Sequence, residues 1–308
     1  MKRVSLILLN LFQYIILYIF FLHQPHILEA SDPSLNEGPD FFILGGVKCG
    51  TTSLFYYLKE HPNIQLPQKK ELRFFNTLWK QNNHTEAIQC YLEQFPKKNR
   101  CHDFFLTGEA SPSYLIRAQP KEVSRYFPQA KLIILLRNPI EYALSHYKMR
   151  LRKGEEKDTR TIEEIFTKTI EDLQSSPVTD NDSYIYKGIY VPLIQRWREF
   201  YPDNQIFIIC SEDFFANPRK IMNDVFTFLG LSAFDLKEYK IFNKGLNSEI
   251  TLSPDLRKQM SEFYAPYNQE LQTLLKDEMH IDIDLASFGW DVGPETNTKK
   301  ASNLEGEK

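Results

Sequence analysis

The chain has 308 residues, 42% hydrophobic and 25% charged, enough to bury a full core in one or two domains. A formal net charge of −3 excludes a global basic field for a polyanion, so no nucleic-acid partner is expected and an anionic substrate must be held by a local basic patch. The four cysteines, Cys49, Cys90, Cys101 and Cys210, lack paired zinc spacing, so no metal site is expected.

Met1–Leu22 places Lys2 and Arg3 ahead of nineteen apolar or weakly polar residues, interrupted by Asn10 and Gln13. That length meets the bilayer requirement of about 20 residues. The flanking charge orients the N-terminus to the cytoplasm and the remainder to the lumen, as in a type II anchor. A cleaved signal is the rival reading, with Leu28, Glu29 and Ala30 as a cleavage context. Two glycosylation triplets, starting at Asn83 and Asn181, agree with a luminal body. His23–Asp40 is a short polar stem.

Phe41–Leu58 reads as a buried strand, a glycine-rich turn and a helix start. The apolar run of Phe41, Phe42, Ile43 and Leu44 is too short for a helix. Gly45, Gly46 and Gly50 permit a tight turn, and Thr51, Thr52 and Ser53 open the helix. Backbone N–H groups and the helix dipole at such a turn form an anion site. Gly45 and Gly50 have the spacing of a nucleoside-triphosphate loop, but Thr51 stands in the lysine position. The lysine lies inside the loop, at Lys48. Cys49 is either a nucleophile or simply a small residue in a crowded turn.

Further along, Glu71 lies between Lys70 and Arg73, ahead of Phe74 and Phe75; a solvated charge run is the plain reading. Ala87–Phe95 is helical in pattern and contains Cys90, which can pair with Cys101 in an oxidising compartment. Phe104–Tyr114 suggests a second strand ending in a polar loop. Lys131–Leu136 is the clearest buried strand, ending in Arg137-Asn138-Pro139. A helix follows over Ile140–Arg150 and carries Ser145. Ligands sit at such strand ends in open α/β sheets, so Arg137 and Ser145 are candidates to face one anion. Helices are expected over Ile162–Leu173, Tyr190–Tyr201, Arg219–Leu229 and Ser253–Lys276, the last interrupted near Pro266. Gln205–Ser211 is another buried strand, Asn217-Pro218 a helix cap, and Phe242–Gly245 a loop. Alternating strands and helices with continuous apolar strands indicate a parallel sheet covered on both faces. The expected organisation is an anchor or signal over 1–22, a stem over 23–40, one domain over 41–290 and a polar tail over 291–308.

From Phe41 to about Trp290 the chain resembles the sulfotransferases that use 3′-phosphoadenosine 5′-phosphosulfate, in style the Golgi heparan sulfate N- and 3-O-type enzymes. Gly46–Thr52 is similar to their phosphosulfate loop. Leu136–Pro139 through Ser145–Tyr147 is similar to their 3′-phosphate motif, and Lys70–Phe75 to the segment carrying a catalytic glutamate. The resemblance implies a three-layer P-loop-like fold and a glycan acceptor, in line with a glycosaminoglycan. It also implies a luminal catalytic domain on a Golgi type II anchor, or in the secretory lumen after cleavage. Glu71 and Lys48 would be catalytic. Lys48, Cys49, Gly50, Thr51, Thr52, Ser53, Arg137 and Ser145 would hold the donor, with Tyr190, Lys244 and Gly245 near it. Lys70 and Arg73 would meet the acceptor, with Arg150, Arg152 and Lys153 rimming the same cleft. Ala110 departs from the Glu-Lys pair of the 3-O- and N-enzymes. The alternatives are a tyrosylprotein sulfotransferase, whose loop carries Arg-Ser-Gly-Thr-Thr, a P-loop nucleotide kinase, or a glycan-binding protein without activity.

Overall fold

The computed structural model describes residues 38–77, 84–97, 104–175, 183–243 and 250–293. The expected anchor, residues 294–308 of the expected polar tail, and Asn83, Cys101, Asn181, Lys244 and Gly245, lie outside the described residues.

Among the described residues four strands form one sheet: β1 (Phe41–Gly45), β2 (Gly108–Ala110), β3 (Lys131–Leu136) and β4 (Ile206–Cys210). Their order is β2-β1-β3-β4 and every pairing is parallel. Phe41 aligns with Gly108 on one side and Lys131 on the other, and Leu132 aligns with Ile206. A parallel sheet places all strand C-termini along one edge. The 46–50 loop, Ser111, Arg137 and Ser211 therefore leave the sheet at a common edge, although far apart in sequence.

The helices, in chain order, are α1 (Thr51–Lys59), α2 (Phe74–Thr77), α3 (His84–Leu92), α4 (Tyr114–Arg117), α5 (Pro120–Tyr126) and α6 (Pro139–Arg152). They continue with α7 (Ile162–Ser175), α8 (Val191–Arg198), α9 (Ser211–Ala216), α10 (Pro218–Leu229) and α11 (Pro254–Thr273). Side chains alternate between the two faces of a strand. Phe41 and Ile43 of β1 pack with Leu54 and Leu58 of α1 and Val225 and Phe226 of α10. Phe42 points the other way and meets the rings of Phe75, Tyr114 and Phe127. Both faces are covered, giving the expected three layers. A third cluster, with Phe166 from α7 and Met260 and Tyr264 from α11, buries one side of α6.

The expected elements are present, with instructive differences. Strand β2 is only three residues long, and α9 follows β4 without any turn residue to signal it. Asn217 stands at the N-cap of α10 ahead of Pro218, but its side chain makes no capping bond; its amide donates instead to the Asp213 carboxylate at 2.7 Å. Helix α11 runs through Pro266 without interruption. Proline inside a helix costs roughly 3 kcal/mol. Met260, Phe263, Tyr264 and Leu271 are buried on both sides of Pro266, and their packing outweighs that cost. Among the described residues no helix is long and apolar enough to cross a membrane.

Candidate active site

The loop after β1 is shaped by close contacts. The Gly46 N–H donates to the Leu135 carbonyl at 2.6 Å, and a Cβ on Gly46 would lie 2.9 Å from Cys49 Sγ. Lys48 and Gly50 both take left-handed backbone, with φ of 66° and 97°. Helix α1 then starts at Thr51, with no acidic residue in its first turn and no side-chain cap. Its first N–H groups have no partners within the helix and point toward the loop, an arrangement suited to an anion. Ser53 accepts from the Phe242 N–H at 3.0 Å, and Thr52 Oγ1 accepts from the Asn243 amide at 3.3 Å. The segment leading to Lys244 and Gly245 is thus tied to the same helix turn.

Two readings of Cys49 were open, and its surroundings favour the small buried residue. The side chain is fully buried, and burial pushes the thiol up to about 12 in spite of nearby Arg137. Such a thiol is a poor nucleophile near neutrality. Its carbonyl accepts from the Ser211 hydroxyl at 2.7 Å, which fastens the loop to the end of β4.

Lys48 sits among cations. Burial pushes its ammonium below the usual lysine range, and the charges of Arg152, Arg137 and Lys153 push the same way. Arg137, at the end of β3, donates from Nη1 to the Lys48 carbonyl at 3.0 Å. Two sequence-predicted donor residues are therefore in direct contact. The next residue, Asn138, caps α6 by accepting from the Ile140 and Glu141 N–H groups. Ser145 is half-buried in the second turn of α6. Arg150, by contrast, donates to the Glu155 carbonyl and lies over the Tyr184 ring. Tyr190 is buried, and its hydroxyl donates to the Arg137 carbonyl at 2.8 Å. Its polar end thus supports Arg137 from behind.

Glu71 lies across the first turn of α1 from these cations. Thr52, Tyr56, Lys70, Glu71, Arg73 and Asn243 line one cleft of about 390 Å³. Lys70 donates to Glu71 Oε1 at 3.0 Å, and Arg73 Nε donates to Oε2 at 3.2 Å. Burial pushes the Glu71 carboxyl up, but Lys70 and Arg73 together outweigh it and hold the group below the usual carboxylate range. Glu71 is therefore anionic near neutrality and able to accept a proton. Glu71 and Arg73 both adopt left-handed backbone, with φ of 60° and 57°. The charge run is no simple solvated face: the Glu71 side chain is 33% exposed and that of Lys70 15%.

Sequence reasoning did not single out two features. The exposed Tyr56 ring packs on Phe242 at 4.5 Å between centroids and gives the cleft an aromatic wall. Glu109 is a buried carboxylate beneath the Glu71 segment. Gly108-Glu109-Ala110 has no apolar run, so no local pattern signalled its burial. Cys90 is exposed with a free thiol; its expected partner is not among the described residues.

A parallel sheet with helices on both faces and an anion loop after its first strand is a P-loop-like α/β architecture, and a solved structure that it resembles is a sulfotransferase. Residues 38–271 match the sulfotransferase domain, and the chain belongs to that family. It is similar to a sulfotransferase from Alicyclobacillus acidocaldarius, with a TM-score of 0.63 and 27% identity, over 82% of this chain and 99% of that one. Among curated proteins it is 27% identical to the human bifunctional heparan sulfate N-deacetylase/N-sulfotransferase 2, over 67% of this chain and 23% of that protein. It is 22% identical to the membrane-associated sulfotransferase kil1 of Dictyostelium discoideum, over 82% of this chain and 68% of that protein. The chain spans about a quarter of the length of the heparan sulfate enzymes it matches.

Proposed function

We propose that the chain transfers a sulfuryl group from 3′-phosphoadenosine 5′-phosphosulfate to a hydroxyl or amine of a carbohydrate, in particular an acidic, glycosaminoglycan-like chain. The observation that carries this reading is the shared cleft: the anionic Glu71 and Thr52 of the anion loop's helix line one space. The residues present fit the donor. The uncapped first turn of α1, Lys48 and Arg137 would hold its phosphate groups, with Ser145 as a further contact. When bound, the donor supplies an activated sulfuryl group on a phosphate that gains negative charge as it leaves.

The chain's own residues have three tasks. Glu71 takes the proton from the acceptor hydroxyl or amine, which a carboxylate held in its anionic form can do. Lys48 and the first N–H groups of α1 offset charge on the leaving side, and such fixed donors supply much of the catalysis in group transfer. The cleft walls orient the acceptor so that transfer occurs within one complex. Lys70 and Arg73 suit the acid groups of a glycan chain, and the Tyr56–Phe242 wall suits a sugar face. The resemblance to heparan sulfate N-sulfotransferases supports this acceptor class. The N-terminal apolar segment and the likeness to a protein named membrane-associated support a Golgi membrane setting, with the domain in the lumen.

The test is transfer from sulfur-labelled donor to heparan, chondroitin and dermatan chains, their desulfated forms and a tyrosine peptide. Label in a glycan that disappears with Glu71→Gln, while 3′-phosphoadenosine 5′-phosphate still binds, is the expected result. Near-normal turnover by Glu71→Gln removes Glu71 from the chemistry. Label in the peptide alone overturns the carbohydrate assignment.

A further inference from the structure

Glu109 is the odd group in an aromatic interior. It occupies the middle of β2 at 2% exposure, beneath the cluster of Phe75, Tyr91 and Tyr114. Both of its oxygens are engaged. Oε1 accepts from the Ser111 hydroxyl and from the Arg73 N–H at 3.3 Å. Oε2 accepts from the Tyr91 hydroxyl and from the Tyr114 hydroxyl at 3.1 Å. An unpaired carboxylate here would be very costly, so the site is stable only while its partners stay in place.

Those partners converge on the segment that carries Glu71. The Glu71 N–H donates to the Ala110 carbonyl at 3.1 Å. The Arg73 N–H is shared between Glu109 and the Ser111 hydroxyl, the latter at 3.0 Å. The Phe75 N–H donates to the Tyr114 hydroxyl at 3.1 Å, and the Asn76 amide to the Ser113 hydroxyl at 2.8 Å. Alternate main-chain donors from 71 to 75 are thus fixed by the end of β2 and the start of α4. Two residues of this segment, Glu71 and Arg73, hold a left-handed backbone that side-chain-bearing residues avoid. Such a shape persists only where its surroundings impose it, and such places cluster at functional sites.

We propose that Glu109 is a positioning residue for Glu71: its buried carboxylate grips the main chain at Arg73 and so fixes the turn that holds Glu71 in the cleft beside Thr52. The inference rests on the reading of Glu71 as proton acceptor. It explains why an acid, rather than one more apolar side chain, stands in this interior. An acid with two acceptor oxygens can hold the Arg73 N–H and three hydroxyl groups at once. It also predicts a separation of effects, because Glu109 touches neither the 46–50 loop nor Arg137.

The substitution Glu109→Gln keeps size but replaces one acceptor oxygen with a donor. Displacement of a catalytic group by about 1 Å can cost on the order of 100-fold. The expected result is a fall in kcat of about 10- to 100-fold, with affinity for 3′-phosphoadenosine 5′-phosphate changed by less than about twofold. Single-turnover labelling completes a double-mutant cycle with Glu71→Gln. In that background Glu109→Gln should change the residual rate by less than about twofold, since there is no base left to position. If Glu109→Gln lowers the residual rate of Glu71→Gln by its full factor, or weakens donor-product binding as much as kcat, Glu109 only supports the fold and the proposal fails. Normal turnover by Glu71→Gln overturns the underlying reading instead. Should Glu109→Gln not fold, Ser111→Ala removes the hydroxyl shared by Glu109 and the Arg73 N–H. A several-fold loss of kcat with the same absence of effect in the Glu71→Gln background is expected, and unchanged kcat overturns the proposal.

Discussion

The ion pairs on Glu71 make its proton affinity adjustable, and Arg73→Ala is the sharpest test. Arg73 donates to Glu71 Oε2, while Lys70 holds Oε1. The Arg73 side chain is 61% exposed and that of Glu71 33% exposed, so water screens the pair substantially. Exposed pairs contribute about 0.2–1 kcal/mol. Losing that contribution raises the Glu71 carboxyl toward its ordinary range. The sign is fixed: Arg73 stabilises the anion, so its removal moves the carboxyl up, and Lys70 retains part of the original depression. Glu71 must be ionised to act as the base, so the acidic limb of the kcat/KM profile moves to higher pH. The assay is label transfer across the acidic range at low salt, with an acidic and a desulfated acceptor. The plateau kcat for the desulfated acceptor should hold, because the carboxylate becomes a stronger base, while KM for the acidic acceptor rises. Added salt should shrink the difference between variant and parent. A limb that stays in place at low salt, or moves to lower pH, refutes the assignment of Glu71 as the titrating base in this pair.

Three further outcomes test the anion loop. Lys48→Ala should lower kcat by ~10²–10³, the usual effect of removing one electrostatic donor; an unchanged single-turnover rate removes Lys48 from the transition state. Gly50→Ala forces a Cβ to 2.9 Å from the Phe215 ring at a φ of 97°. It should cost about 1–2 kcal/mol in urea unfolding, and an unchanged midpoint contradicts the loop geometry. Addition of 3′-phosphoadenosine 5′-phosphate at a hundredfold excess over Kd should stabilise the protein by about 2.7 kcal/mol. That stabilisation should weaken with salt, and no thermal shift at any salt concentration removes the donor site.

The parts of the fold governed by local pattern were legible in the sequence. Lys131–Leu136 is apolar in continuous order and forms β3 over the same residues. Gly45, Gly46 and Gly50 announced a tight turn, and the chain turns there. Contacts between distant residues were not legible. Arg137 and Lys48 touch across 89 residues of chain, which only the strand order brings together. Strand β2 was blurred because Gly108-Glu109-Ala110 has no apolar run, its burial coming from the layers above and below. Pro266 was given local weight that tertiary packing overrides. A glutamate is ordinarily a surface residue, so nothing in the sequence marked Glu109 as the most enclosed acid in the site region. Tyr190 was placed near the donor by likeness alone; that its hydroxyl holds the Arg137 carbonyl is a contact the sequence did not reveal.

The two sides of the α1 turn differ in how their charges are balanced, and the difference bears on the chemistry. On the loop side, Lys48 is pushed below the lysine range by burial and then by three neighbouring cations. That arrangement is unfavourable by itself and becomes favourable when an anion enters, so its strain is relieved by the ligand rather than by the protein. On the cleft side, the charge on Glu71 is balanced by the protein itself, through Lys70 and Arg73. On the proposed reading, an acidic acceptor would compete for those same two cations. By engaging Arg73 it would weaken the hold on Glu71 Oε2 and raise the proton affinity of the proposed base as the acceptor's proton came within reach. An uncharged acceptor would leave the pair intact and meet a weaker base. Binding an acidic chain and activating the base would then be coupled through one guanidinium, and a substrate's charge would act on the rate as well as on its affinity.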